Sequence, residues 1–158
     1  MITVAKSNIT LTYKLIVRKN DPDIPYLTSA LKLPEISQFI SIDESNYWNY
    51  VTQTKNVFYY KVFLDNYLVA ATHIEKSNQT LYMDIMVIPE YQRKGIATAI
   101  LRDILSDHLK LEFNKIEISI DEQNTASIKL FEKMNFKFVS KEGELLNYTY
   151  SLIKEKFL

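Results

Sequence analysis

The chain has 158 residues, 47% hydrophobic and 24% charged, which is enough for a single domain spanning 1–158 and too few for two comfortable ones. Lys+Arg 19 balance Asp+Glu 19, so no basic excess drives binding to nucleic acid or acidic membranes, and any anion site must be local. There is no Cys, which excludes disulfides, thiolate metal sites and a cysteine nucleophile, and the 2 His, at 73 and 108, make no metal cluster.

Residues 1–14 lack a continuous apolar stretch ahead of their lysines and do not read as a signal peptide. No apolar run approaches the roughly 20 residues needed to cross a bilayer, so the expectation is a cytoplasmic protein. Thr10 to Arg18 alternates and predicts a first strand. Asn20-Asp21-Pro22-Asp23 is turn chemistry. Ile24 to Leu33 predicts a short helix stopped by Pro34, and Glu35 to Ile40 adds a turn or two. Asp43 is placed to cap a helix over Glu44 to Thr54, with Tyr47, Trp48 and Val51 on one face.

Val57 to Leu64 is strongly β-prone, Asp65-Asn66 is a tight turn, and Tyr67 to Glu75 pairs back as a hairpin. Ser77-Asn78-Gln79 turns into a third strand, Leu81 to Ile88, ended by Pro89. Gln92 to Ala97 then opens a helix carrying Ile96, Ile100, Ile104 and Leu105 on one stripe. Gly95 is one of only 2 glycines in the chain, which suggests a place where a side chain does not fit. The first turn of a helix has unpaired N–H groups and a partial positive charge. With a glycine in the turn and Arg93 and Lys94 beside it, the junction reads as a phosphate cradle or, equally, as a solvated basic turn before a helix.

Lys115 to Ile120 alternates cleanly and follows a helix, which predicts a strand parallel to the Leu81 strand. Asn124 caps a helix over Thr125 to Met134, and Asn135 suits a left-handed C-cap. Phe136 to Ser140 and Leu145 to Leu152 form a last hairpin around Lys141 to Glu144.

With that order, the chain resembles the GNAT superfamily of acetyl-CoA-dependent N-acyltransferases. Val87 to Ala97 matches the pyrophosphate motif, whose core is Gln/Arg-x-x-Gly-x-Gly/Ala, and Asn124 to Phe136 matches the later helix motif. The region before Val57, with Leu33 to Ile40, is similar to the branch that includes ribosomal-protein N-terminal acetyltransferases. The resemblance implies an α/β (α+β) fold: a mixed, mostly antiparallel seven-stranded sheet with helices on both faces. The central parallel strands would splay apart beyond a bulge to admit acetyl-CoA.

The resemblance further implies particular contacts. Backbone amides of Arg93, Lys94, Gly95, Ile96, Ala97 and Thr98 would hold the pyrophosphate, with Gln92 shaping the turn. Main chain at Met86, Val87 and Ile88 would pair with the pantetheine arm. Asn124 and Ser127 would touch the arm from the other side, although capping alone also explains Asn124. Phe131 would lie beside the cofactor or pack the helix on the sheet. Lys129 and Lys133 would reach the adenosine end or simply face water.

The implied reaction is direct attack of a primary amine, a small molecule or a peptide N-terminus, on the thioester. The Val87 amide would donate to the oxyanion. Asp84 is the nearest carboxylate for a base or a substrate anchor, or an ordinary polar residue on an exposed sheet face; His73 on the neighbouring strand is another candidate, or a residue that packs and hydrogen-bonds locally. Many family members carry a Tyr acid in the later helix; this chain has Phe131 there. Tyr82 and Tyr148 are the alternative acids. The same residues are compatible with a non-catalytic acyl-CoA-binding or regulatory module. The acceptor and the choice between monomer and homodimer are not encoded in any recognisable motif.

Overall fold

Short-range turn chemistry fixes most of the sheet. A computed structural model describes residues 9–152. Seven strands, β1 (Thr12–Leu15), β2 (Val57–Leu64), β3 (Tyr67–Ser77), β4 (Thr80–Val87), β5 (Lys115–Asp121), β6 (Lys137–Glu142) and β7 (Leu145–Ser151), form one sheet. Their order is β1-β2-β3-β4-β5-β7-β6, and only the β4–β5 pair is parallel. At the β2–β3 turn Asp65 and Asn66 both take positive φ, 50° and 72°, which is the type I′ geometry a two-residue hairpin favours.

The helices are α1 (Ile24–Lys32), α2 (Pro34–Ser37), α3 (Glu44–Gln53), α4 (Ile96–Leu105) and α5 (Thr125–Lys133). Pro34 ends α1 and starts α2, since proline at a first helical position loses no hydrogen bond. The Asp43 side chain accepts from the Ser45 N–H at the start of α3. The first strand is shorter than the alternation suggested. Its ladder covers Thr12 to Leu15, Ile16 adds one bond to the Tyr59 carbonyl, and the chain then turns at Arg18 to Asp21.

Strand alternation splits the core into two clusters on opposite faces. Ala70 and Ile74 of β3 and Leu81 of β4 pack with α4, through Ile96, Ile100, Leu101 and Ile104, and with Phe131 of α5. Leu101 rather than Leu105 completes the buried stripe of α4. On the other face Ala71 and Met86 pack with Leu27 and Leu31 of α1, Ile36 of α2, and Trp48 and Val51 of α3.

The parallel pair is joined only at its start. Thr80, Leu81 and Tyr82 face Lys115, Ile116 and Glu117, and there the pairing ends although both strands continue. The expected bulge is absent from this part of β4. Its register with β3 runs unbroken from Val87↔Ala70 to Thr80↔Ser77, and β5 is likewise paired with β7 from Lys115 to Asp121. Past that point both strands stay packed: Met83, Ile85 and Val87 of β4 lie against the same α4–α5 cluster that buries Ile118 and Ile120 of β5, and the alternate β4 residue Met86, with Ile88 just after the strand, is buried in the α1–α3 cluster.

One buried charge ties the loop before α1 to the sheet. Lys61 Nζ lies 3.0 Å from Asp21 Oδ2 and 2.9 Å from Asp23 Oδ2, with the Lys61 and Asp21 side chains only 10% and 13% exposed. Lys61→Met keeps the aliphatic stem and strands Asp21 without its partner. The expected loss is about 3 kcal/mol, read as a lower urea midpoint; an unchanged midpoint contradicts a structural role for the cluster.

Candidate active site

The parted strands and the start of α4 enclose one cleft. After β4 the chain makes a single 3₁₀ turn over Pro89–Tyr91 and a loop, and α4 begins at Ile96, so Gln92 to Gly95 lie ahead of the helix rather than in it. Gln92 braces this loop by donating from Nε2 to the Val87 carbonyl at 3.0 Å. Arg93 and Gly95 are both left-handed, with φ of 64° and 84°. Conformation, not crowding, explains the glycine. A Cβ there would meet only Ile9 Cδ1 at 3.4 Å, an ordinary contact, whereas φ of 84° is costly for any residue with a Cβ.

The first bond of α4 runs from the Ala99 N–H to the Gly95 carbonyl. The N–H groups of Ile96, Ala97 and Thr98 therefore have no partner within the helix, and the helix dipole adds to them.

A second donor comes from β4. Ile88 N–H donates to the Val69 carbonyl at 2.9 Å, and these two residues lie directly opposite each other in the β3–β4 register. In an antiparallel ladder hydrogen-bonded pairs alternate with pairs whose polar groups point outward. The main chain of Met86 and Ile88 is thus turned toward β3, and that of Ile85 and Val87 toward the gap.

The cleft has a volume of about 1230 Å³. Of the residues expected at the cofactor site, Met86, Val87, Gln92, Arg93, Gly95, Ile96, Ala97, Thr98, Asn124, Ser127 and Phe131 all line it. Two do not: Ile88 is 4% exposed and sunk in the α1–α3 cluster, and Lys94 points to solvent. Lys129 and Lys133 of α5 join Arg93 on the wall, giving the cleft three cationic side chains. Asn124 accepts from the Ser127 N–H at 3.3 Å and lines the cleft as well, so capping and cleft lining coexist. Phe131 is 5% exposed and stacks edge-on against Phe136 with centroids 5.0 Å apart.

Asp84 and Tyr82 are also on the cleft wall. Burial pushes the Asp84 carboxyl up to about 6, against the pull of His73 and with a further push from Glu75. Its backbone carbonyl accepts from Thr72 Oγ1 at 2.7 Å. Tyr148 reaches the cleft, but its hydroxyl donates to Glu132 Oε2 at 2.7 Å, and that bond and burial raise the phenol to about 12. His73 does not line the cleft; it lies behind Asp84, bonded to Tyr47 and Glu75. This last set escapes a reading of motifs. Its trace in the sequence is a pair of polar residues two apart on β3, facing tyrosines three apart on α3.

No helix of the described residues is long and apolar enough to cross a membrane. The acetyltransferase (GNAT) family model matches residues 25–136. No curated protein sequence matches significantly. Solved structures share the fold. A domain from Methanocaldococcus jannaschii is 20% identical with a TM-score of 0.78, over 92% of this chain and 100% of that one. Campylobacter jejuni N-acetyltransferase PseH, in complex with acetyl coenzyme A, is 12% identical with a TM-score of 0.74, over 91% and 100%. The aminoglycoside acetyltransferase AAC(6')-Ib, in complex with coenzyme A, is 15% identical with a TM-score of 0.73, over 90% and 95%.

The left-handed turn ahead of α4 makes a direct prediction. Gly95→Ala meets no serious clash but must hold φ at 84°, so it should cost about 1–2 kcal/mol. Chemical denaturation measures this, and an unchanged midpoint would refute the conformational account.

Proposed function

This chain belongs to the acetyltransferase (GNAT) family, and we propose that it is an N-acetyltransferase that moves an acetyl group from acetyl-CoA to a primary amine by direct attack. The observation that carries this reading is the cleft between β4 and β5, which reaches three amides of α4 that have no partner within the helix. The residues present fit the family's acyl donor. An elongated diphosphate ligand needs main-chain donors and positive charge at one end, and a slot with free strand edge at the other.

Acetyl-CoA, when bound, supplies the acetyl thioester. The amides of Ile96, Ala97 and Thr98, with Arg93 beside them, would hold its diphosphate. Lys129 and Lys133 add charge on the same wall. The Val87 N–H, turned toward the gap, would donate to the acyl carbonyl oxygen. Asp84 takes the proton of the incoming ammonium, which as an alkylamine holds it up to pH ~10. A carboxyl raised to about 6 is a better base than an ordinary aspartate and is still ionised at neutral pH. Phe131 has no proton to give. None is required of it, because a thiol ionises near ~8.5 and is a competent leaving group as the thiolate.

Phe131 also favours a second reading, a module that binds acyl-CoA without turnover. Free thiol release with acetyl-CoA, screened over amino acids, polyamines, aminoglycosides and peptide N-termini, separates the two. Coenzyme A binding without release for any amine would leave the binding module.

The cradle is tested by Ala97→Glu. A glutamate in the first turn suits the helix dipole, so the fold should be retained. Its carboxylate competes for the anion site, so the affinity for coenzyme A should fall at least about tenfold by calorimetry. Retained affinity would move the site elsewhere.

For Asp84→Asn, kcat should fall far more than coenzyme A affinity. The wild-type kcat/KM should rise as pH passes about 6 and then level, because the base acts when deprotonated. The variant should lose that limb. A second readout has the opposite sign. A carboxyl whose folded-state value is raised contributes fully to stability below its unfolded value and loses that contribution as pH rises through about 6. At pH 7.5 the Asn variant should therefore be more stable than wild type, by about 1–2 kcal/mol once the water in the cleft is allowed for. Below pH ~4 the difference should vanish.

A further inference from the structure

Behind Asp84 lies a hydrogen-bonded set that the reading above does not use. His73 sits directly opposite Asp84 in the β3–β4 register, with its side chain on the same face. Its Nδ1 is 2.7 Å from the Tyr47 hydroxyl, and its Nε2 is 2.8 Å from Glu75 Oε2. The Tyr50 hydroxyl donates to that same Glu75 oxygen at 2.9 Å. The rings of Tyr47, Tyr50 and Tyr59 surround the imidazole, with centroids 5.5, 6.3 and 6.3 Å away.

A histidine kept only for packing would not need this arrangement. Both ring nitrogens are bonded, so the ring plane is fixed. A neutral ring accepts from Tyr47 and donates to Glu75. A protonated ring donates to both, and the Tyr47 hydroxyl only has to rotate to accept. The cage holds either form without moving a heavy atom.

The surrounding charges are uneven. Glu75 on the same strand and Asp84 on β4 are carboxylates. α3 and β2 contribute the phenols of Tyr47, Tyr50 and Tyr59, all raised by burial and so kept neutral. Within this set His73 is the group able to carry a positive charge. Its effect on Asp84 runs against that of burial and of Glu75.

We propose that His73 is a positioning residue for Asp84: the imidazole, fixed between Tyr47 and Glu75 across from Asp84, keeps that carboxylate ionised and so able to take the proton of the acceptor amine. The inference rests on the assignment of Asp84 as the base, and its test is chosen to separate the two. The side-chain carboxyl ¹³C resonance of Asp84, identified by its loss in Asp84→Asn, is followed as a function of pH in aspartate-labelled protein. In wild type it should titrate near 6. In His73→Gln, and independently in His73→Asn, the midpoint should move up, because the group that opposes burial and Glu75 is gone. The rising limb of kcat/KM should move with it, while coenzyme A affinity stays the same.

An unmoved midpoint in a folded His73 variant would overturn the proposal, as would a wild-type Asp84 that titrates like an ordinary carboxylate. If the midpoint moves with His73 but Asp84→Asn retains its activity and pH profile, the coupling stands and the assignment of Asp84 as the base is what fails.

Discussion

Everything functional in this fold depends on two neighbouring strands that stop pairing. β4 and β5 share three residue pairs and then part, each still fully bonded to its outer neighbour. An exposed pair of strand edges inside a protein is ordinarily unfavourable, because each unpaired N–H and C=O gives up a ladder bond. Here the parted ends keep their side chains covered: Ile85 and Val87 of β4 and Ile118 and Ile120 of β5 share the α4–α5 cluster, and Met86 and Ile88 enter the α1–α3 cluster.

The turn into α4 shows a similar balance between local strain and global packing. Two of its residues are left-handed, and only one of them is glycine. Arg93 accepts the unfavourable backbone, which places its side chain on the cleft wall. The strain is held by elements on either side: Gln92 tied back to Val87, and an α4 whose Ile96, Ile100 and Ile104 are at most 1% exposed. A rigid helix anchored in this way presents its first amides in a fixed direction, which is what a preorganised anion site needs.

Much of this was legible in the residues. Strands β2, β5 and β7, the caps Asp43 and Asn124, and the left-handed Asn135 follow from alternation and capping chemistry, because those signals act within a few positions. The parallel joint and its opening follow from element order and the family resemblance. Other features were not legible. The bulge expected at the splay is missing: the β3–β4 register runs unbroken past the point where β4 and β5 part, a pairing over many residues that no local motif reports. The reason for Gly95 was misread as lack of room, since sequence reports the residue and not its φ. Ile88 looked equivalent to Val87, but only the hydrogen-bond phase of the β3–β4 ladder shows that their amides point opposite ways. The cage around His73 needs β2, β3 and α3 in register, and no motif spans them.

That ladder phase also explains how such a site can survive extensive sequence change. On β4 the odd positions turn their main chain into the gap, while the even positions Tyr82, Asp84 and Met86 send side chains to the α1–α3 face. On the proposed reading the strand thus separates two tasks within one stretch of backbone. Holding the acyl donor uses amides, which every residue but proline has. Handling the acceptor's proton uses side chains, which can be chosen afresh. Selection on the first task constrains strand phase and one left-handed turn, but few residue identities. The second task leaves its record in groups such as Asp84 and the His73 cage. On that same reading, the acceptor amine would be sought on the even face of β4, not in the motif that identifies the family.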